Sequence, residues 1–272
     1  MQKEFKVAPS LGIVWVSVTG AFYSGCVLDI LGPSLPAIKQ YFQTSIFCVQ
    51  LSITLFCLIT GFLQLPWGAI SDCLGRKKIH LYCHGLTTLF SILSVFSKNI
   101  GTFLVLRSFQ ALFLTGTMVI NKAVLVDNFY GKELKKYLSY LLLAWGLGAL
   151  IAPLMGGYLQ YCFGWQGSFW FLAAFSMAPF FLSLAFIKEK NFSKTIYKYS
   201  ITTSTLKTVF SSITFVIYLI LYGLSYSALI VFQGYGPFYI QNTLQSNSLI
   251  YGTIAFLLAI AWLIGNWLYR SI

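Results

Sequence analysis

The stretch GAISDCLGRKKI (Gly68–Ile79) sets an aspartate, an arginine and two lysines between two long apolar runs. Glycines at 68 and 75 let backbones approach and turn tightly, Asp72 can face a helix N-terminus or a cation, and Arg76, Lys77 and Lys78 can anchor the turn on an anionic leaflet. Any cytoplasmic loop of a membrane protein collects lysine and arginine, so the diagnostic part is the spacing of the two glycines around the acid.

Outward from that turn the chain is nearly all hydrocarbon. Of its 272 residues, 58% are hydrophobic, 18% aromatic and only 9% charged, and mean hydropathy is +0.78. Charges this sparse cannot cover a soluble globule, whereas about 20 apolar residues cross the roughly 30 Å of a bilayer core. Apolar windows punctuated by Gly, Pro and charge predict an all-α membrane protein with eight spans, near 11–32, 46–70, 78–97, 101–125, 138–161, 165–187, 212–234 and 249–269. The run after Lys3 and Lys6 is too long for a signal-peptide core and more spans follow, so it is expected to be a retained first helix.

With eight spans, alternate loops share a side. Only Lys39 and Lys98 then fall on one side and Arg107 and Lys122 within the fourth span, so the other fourteen of the eighteen Lys and Arg fall opposite. Positive charge collects on the cytoplasmic side, which predicts that both termini are cytoplasmic. The net charge of +12 is dispersed through short loops beside headgroups, without interleaved aromatics, and does not support nucleic-acid binding. The lipid bilayer is the expected partner of those cations. One long connection, KEKNFSKTIYKYSITTSTLKTVFSS (Lys188–Ser212), is rich in Lys, Ser and Thr. It predicts three segments: a six-helix bundle over 1–187, a cytoplasmic linker over 188–211, and a partial second bundle of two helices over 212–272.

The pattern G-x-x-x-D-x-x-G-R-K, matched at Gly68, Asp72, Gly75, Arg76 and Lys77, resembles the signature joining helices two and three of the major facilitator superfamily. That resemblance implies a gating role: the aspartate meets a helix end from the second half, and the arginine pairs with an acid at the cytoplasmic end of helix four, where Asp127 stands. CVLDILGPSLPAI (Cys26–Ile38) looks like the first helix of drug:proton antiporters, with Asp29 ahead of Pro33 and Pro36. LVLRSFQAL (Leu104–Leu112) looks like the fourth, with Arg107 as the membrane arginine. GLGALIAPLMGGYL (Gly146–Leu159) looks like the antiporter motif of the fifth, matched at Gly148, Pro153, Gly156 and Gly157, with Ala152 replacing a glycine. FGWQGSFWFLA (Phe163–Ala173) narrows the resemblance to the bicyclomycin and chloramphenicol resistance type (Bcr/CflA). It implies a multidrug exporter in a bacterial inner membrane, exchanging protons for small lipophilic drugs by alternating access, with no cofactor and no enzymatic reaction.

Two charges fall inside the hydrocarbon. Asp29 is expected near the outer end of the first span, and Arg107 about 9 Å below the outer end of the fourth at 1.5 Å per residue. An arginine within a span costs roughly 2.5 to 3.5 kcal/mol on insertion scales, so it should face a wet cavity or a counter-ion. The two are expected to pair, or to share a proton-linked network lining one cavity, as the proton and substrate coupling residues. Gln110, Asn121, Trp145, Tyr222 and Tyr226 are possible cavity-lining groups, because polar and aromatic side chains on spans tend to face the bundle interior. Lys122 is expected to snorkel to the cytoplasmic surface.

His80 and His84 share a helical face at i and i+4, but no Cys, Asp or Glu stands with them to complete a zinc site, so interfacial packing is expected. Cys26, Cys48, Cys57, Cys73, Cys83 and Cys162 show neither metal-ligand nor paired spacing and are expected to pack as small hydrophobes. No H-E-x-x-H or G-x-S-x-G motif for membrane hydrolysis occurs.

Superfamily transporters have twelve helices in two halves, and here the eighth is the last. The sequence therefore predicts a C-terminally truncated form: an antiporter whose missing helices come from a separate chain or from further sequence, or else a non-transporting remnant or membrane interaction protein.

Overall fold

A computed structural model describes residues 11–188 and 210–271. Among them there is no strand. The elements are α1 (Leu11–Asp29), a 3-10 turn (Gly32–Ser34), α2 (Leu35–Tyr41), α3 (Ile46–Leu74), α4 (Arg76–Val95), α5 (Ile100–Asn128), α6 (Gly131–Phe163), α7 (Trp165–Phe186), α8 (Ile213–Phe238), a π turn (Tyr239–Thr243) and α9 (Ser248–Ser271). The predicted linker lies almost wholly outside the described residues.

The first span differs from expectation. It does not stop near residue 32 but continues through the 3-10 turn and α2 to Tyr41, because Pro33 and Pro36 each stand in the opening turn of a new helical segment, where a missing N–H costs nothing. Lys39 thus belongs to the last turn of α2, not to a loop. Asp29 consequently sits twelve residues before the end of the span, roughly 18 Å down, and not near its mouth.

Among the described residues, six helices are long and apolar enough to cross a membrane by length and composition: 11–41, α3, α5, α6, α7 and 213–243. The 20-residue α4 is long enough but less apolar, because its inward face carries His80, His84, Thr87, Thr88, Ser91 and Ser94. Local signals set the boundaries. Ser45 and Asn99 cap α3 and α5 by accepting the backbone N–H of Cys48 and Thr102. Gly75 separates α3 from α4 at a φ of 98°, which a side chain would strain.

The densest packing joins α1 to α6, α3 to α5, α4 to both α5 and α7, and α6 to α9. The α1–α6 seam is backbone on backbone. A Cβ at Gly148 would strike the Phe22 carbonyl, one at Gly156 the Ile30 carbonyl, and one at Gly25 the Trp145 carbonyl. In lipid there is no hydrophobic drive to hold helices together, so close approach through small residues supplies the dispersion contacts instead. On its other side α6 meets α9: a Cβ at Gly157 would lie 2.6 Å from the Ser248 carbonyl, and Ser248 Oγ donates to the Gly157 carbonyl at 3.0 Å. Pro153 turns its carbonyl to Gly252 in this second seam, whereas Ala152 is fully buried on the α1 side, with Tyr23, Cys26 and Ile30.

Candidate functional site

The charged turn forms a compact latch. Arg76 pairs with Asp72 one turn back, bonds the Ser71 hydroxyl, and places Nε 3.0 Å from Asp127 Oδ2 at the end of α5. Lys77 Nζ donates to the Leu184 carbonyl of α7 at 2.8 Å. Four helix ends are thereby tied by two side chains, and Gly68 keeps α3 close to Val119 of α5. The guanidinium's rigid fork suits this double carboxylate contact better than a lysine would.

Deeper in the bundle, Arg107 is the largest fully buried side chain among the described residues. Its Nη1 donates to Gln110 Oε1 at 2.5 Å, and its guanidinium carbon lies 4.6 Å above the Phe56 ring and 5.7 Å from that of Phe169. Gln110 Nε2 in turn donates to Ser91 Oγ at 2.6 Å. Aromatic faces and one amide oxygen therefore hold the cation, while Nε and Nη2 have no partner.

Asp29 makes no ion pair with Arg107, which corrects the expected pairing. Its Oδ1 instead accepts from Gln233 Nε2 of α8 at 2.5 Å. Asp29 lies on the side of the first span that meets α8, whereas Arg107 points between the rings of Phe56 and Phe169. The two still share surroundings, since Cys57 of α3 lies within electrostatic reach of both. Further ties cross the same seam, from Gln241 Nε2 to the Pro33 carbonyl (2.8 Å) and from Gln50 Nε2 to the Gly234 carbonyl (3.1 Å).

The possible cavity residues separate. Gln110 and Asn121 are fully buried inside the first bundle, Asn121 Oδ1 accepting from His80 Nε2 at 2.9 Å. Tyr226 is 38% exposed and within electrostatic reach of Asp29, so it borders the seam. Tyr222, stacked on it, is 72% exposed, and Trp145, 36% exposed, sets its carbonyl against Gly25 of α1. An open apolar groove of about 620 Å³ runs between α1 and α6, lined among others by Trp15, Phe22, Tyr137 and Tyr140, and none of the five expected residues lines it. Lys122 is exposed, at the surface. All six cysteines are free.

His80 and His84 are not interfacial. Both are fully buried, because α4 turns its polar face toward α5 and α7. Sequence inspection also missed Gln233, whose signal was a long polar side chain in an otherwise apolar run.

A sequence profile of the Major Facilitator Superfamily matches residues 18–271. The chain belongs to that superfamily. Among similar proteins are the uncharacterized MFS-type transporter YdgK of Bacillus subtilis, 34% identical over 48% of this chain and 32% of its own length, and a bicyclomycin resistance protein homologue of Haemophilus influenzae, 32% identical over 54% of this chain and 37% of its own. The MFS antiporter QDR3 of Candida albicans is 26% identical over 65% of this chain and 25% of its own. The chain thus spans about a third of the length of the curated relatives it matches. Among solved structures, the nucleoside transporter NupG superposes with a TM-score of 0.74 at 14% identity, over 96% of this chain and 66% of that one. A bacterial homologue of the lysosomal transporter Spinster superposes with 0.69 at 17% identity, over 96% and 62%. The superfamily match covers nearly the whole chain, and these solved structures share its fold.

Proposed function

We propose that the chain forms the first half and the opening of the second half of a proton-coupled exporter of small lipophilic drugs, of the bicyclomycin resistance type. The observation that carries the proposal is the bond from Gln233 to Asp29, a carboxylate midway down a span that holds a helix of the other bundle. A hydrogen bond to a charged acceptor is worth about 1.5–3 kcal/mol and one to a neutral acceptor about half that. Protonating Asp29 therefore loosens the seam, and ionising it tightens the seam, which ties proton occupancy to the relative motion of the bundles. Arg107, in its aromatic box with Nε and Nη2 unpartnered, is the group that meets a carbonyl or carboxylate of the cargo.

One proton moving down 100 mV releases about 2.3 kcal/mol, enough to sustain roughly a fiftyfold gradient of a neutral drug. In this proposal the turn at Arg76 is the gate, α6 with Gly148, Ala152, Pro153, Gly156 and Gly157 is the bearing between bundles, and the rest of the cavity wall comes from further helices, in the same polypeptide or a second chain. Residues 1–187 and 212–272 act as the two moving units. Both termini face the cytoplasm of a bacterial cell, with the exporter in its inner membrane.

Vesicles carrying the complete transporter and a fluorescent drug test it. Proton-driven efflux is expected to vanish in both Asp29→Asn and Arg107→Ala, with insertion unchanged. Wild-type rates in both variants would dismiss the assignment.

A further inference from the structure

The six-helix bundle contains a second set of polar groups that the seam does not use. Along the buried face of α4, His80, His84, Thr87 or Thr88, and Ser91 recur at helical spacing, over about 17 Å of rise. Neighbouring helices add to it: Asn121 from α5, Ser176 and Ser183 from α7, and Tyr23 from α1, all fully buried. The His80 and His84 rings are 4.6 Å apart, and His84 lies 5.8 Å from the Tyr23 ring. The Tyr23 hydroxyl sits beside Ser91 and Ser176 without a closed hydrogen bond, and Thr88 bonds Ser176. From Ser91 the file continues through Gln110 to Arg107.

The geometry at His80 is that of a two-state acceptor. Its Nε2 donates to Asn121 Oδ1 at 2.9 Å, and its Nδ1 is 2.7 Å from Ser183 Oγ, which is also 2.5 Å from the Pro179 carbonyl. Ser183 has one proton for two acceptors. When it donates to Nδ1 the ring is neutral. When it turns to the Pro179 carbonyl, Nδ1 must carry its own proton and donate to Oγ, so the ring is a cation. One hydroxyl rotation thus serves both protonation states with every contact at the ring satisfied. Both His84 ring nitrogens, Asn121 Nδ2 and Tyr23 Oη lack a protein partner along the same file. Buried polar atoms without partners are costly unless a ligand or water meets them.

We propose that His80 is a proton-binding site inside the first bundle, separate from Asp29, with the Ser183 hydroxyl as its switch and the file through His84 and Tyr23 as its route toward Arg107. A proton enters from the cytoplasmic end, one turn past Arg76. It bonds to Nδ1 as the Ser183 proton swings to the Pro179 carbonyl, and no other bond changes. The groups facing the rings are few. His84 and Cys83 come from α4 itself, with Cys83 packed on Gly116 of α5; Tyr23 comes from α1, Asn121 from α5, and Ser176 and Ser183 from α7. The bordering charges are Arg76 with Asp72 and Asp127, Lys77 on the Leu184 carbonyl, and Arg107 at the far end. Among the described residues no carboxylate pairs with either ring.

His80 and His84 are the 2 histidines of the chain, so ring-15N labelling of histidine observes this site alone. The full chain in lipid bicelles is titrated over roughly pH 4 to 8, the range that brackets an ordinary histidine. One ring is expected to take up a proton reversibly, its two nitrogen shifts converging while the helical signal holds, and to do so still in His84→Phe. Ser183→Ala is expected to move the midpoint by roughly 0.5 to 1 pH unit, the size of one hydrogen bond. Proton uptake by neither ring before the helix signal collapses would overturn the proposal. So would a titrating ring that disappears in His84→Phe, or a midpoint that Ser183→Ala leaves in place. The readout needs no transport, so it stands or fails apart from the exporter assignment.

Discussion

In α4 the side chains turned inward are histidines, threonines and serines, whereas from Ile213 to Leu229 α8 is mostly apolar or aromatic and none of it is buried. Water-soluble proteins distribute residues the other way. The inversion follows from the solvent: hydrocarbon accepts an exposed leucine at no cost but charges several kcal/mol for an unsatisfied polar group, so polar side chains retreat into the bundle and bond one another. Helix α8 changes character within its own length. From Gly234 to Phe238 it becomes largely buried, Gly234 against Gln50 of α3 and Phe238 among Leu35, Ile38 and Trp165, next to the Gln233 tie. The polar contacts of the chain therefore concentrate where helices meet, and bare apolar surface is neutral ground.

Four substitutions break or sharpen that contrast. The largest effect is expected at the backbone seam. Gly156→Val puts a branched side chain into the Ile30 carbonyl, which cannot move without parting α1 from α6. A loss of about 3 kcal/mol or more is expected, read as collapse of the monodisperse peak and of the tryptophan-detected thermal transition. Gln233→Leu keeps α8 apolar throughout but leaves the Asp29 carboxylate unpaired, and should cost about 2 kcal/mol in the same transition. The gate turn comes third, because its pairs are partly open to water. Arg76→Gln should lower stability by about 1 kcal/mol and, in amide exchange, loosen the Gly75 turn more than the middle of α4. Leu221→Ala, on the bare stretch of α8, should change stability by no more than about 0.5 kcal/mol. A large loss there would show that this face is packed.

Legibility tracked distance along the chain. Eight helices, the glycine turn at Gly75 and the Arg76–Asp127 contact could be read early, because apolar run length, φ demands and the cost of placing charge are local or tied to a pattern. The end of the first span was misjudged because Pro33 and Pro36 look like terminators yet occupy opening turns. Ending the span at 32 in place of 41 puts Asp29 near its mouth, roughly 13 Å from where it lies at 1.5 Å per residue. The fate of His80 and His84 was hidden for another reason: i, i+4 spacing says that two rings share a face, but not what that face meets.

Composition and patterning alone determined that this chain lives in a bilayer and where its apolar helices fall, since both follow from residue type along the chain, while the tight seam at the small residues of α6 was implied by the resemblance of their motif. Only the folded arrangement decided that Asp29 answers to Gln233, 204 residues away, that Arg107 rests between two phenylalanine rings, and that two histidines are fully buried. Those outcomes depend on the rotation and register of one helix against another. That is set by the sum of many weak packing contacts, and no short stretch of sequence contains it.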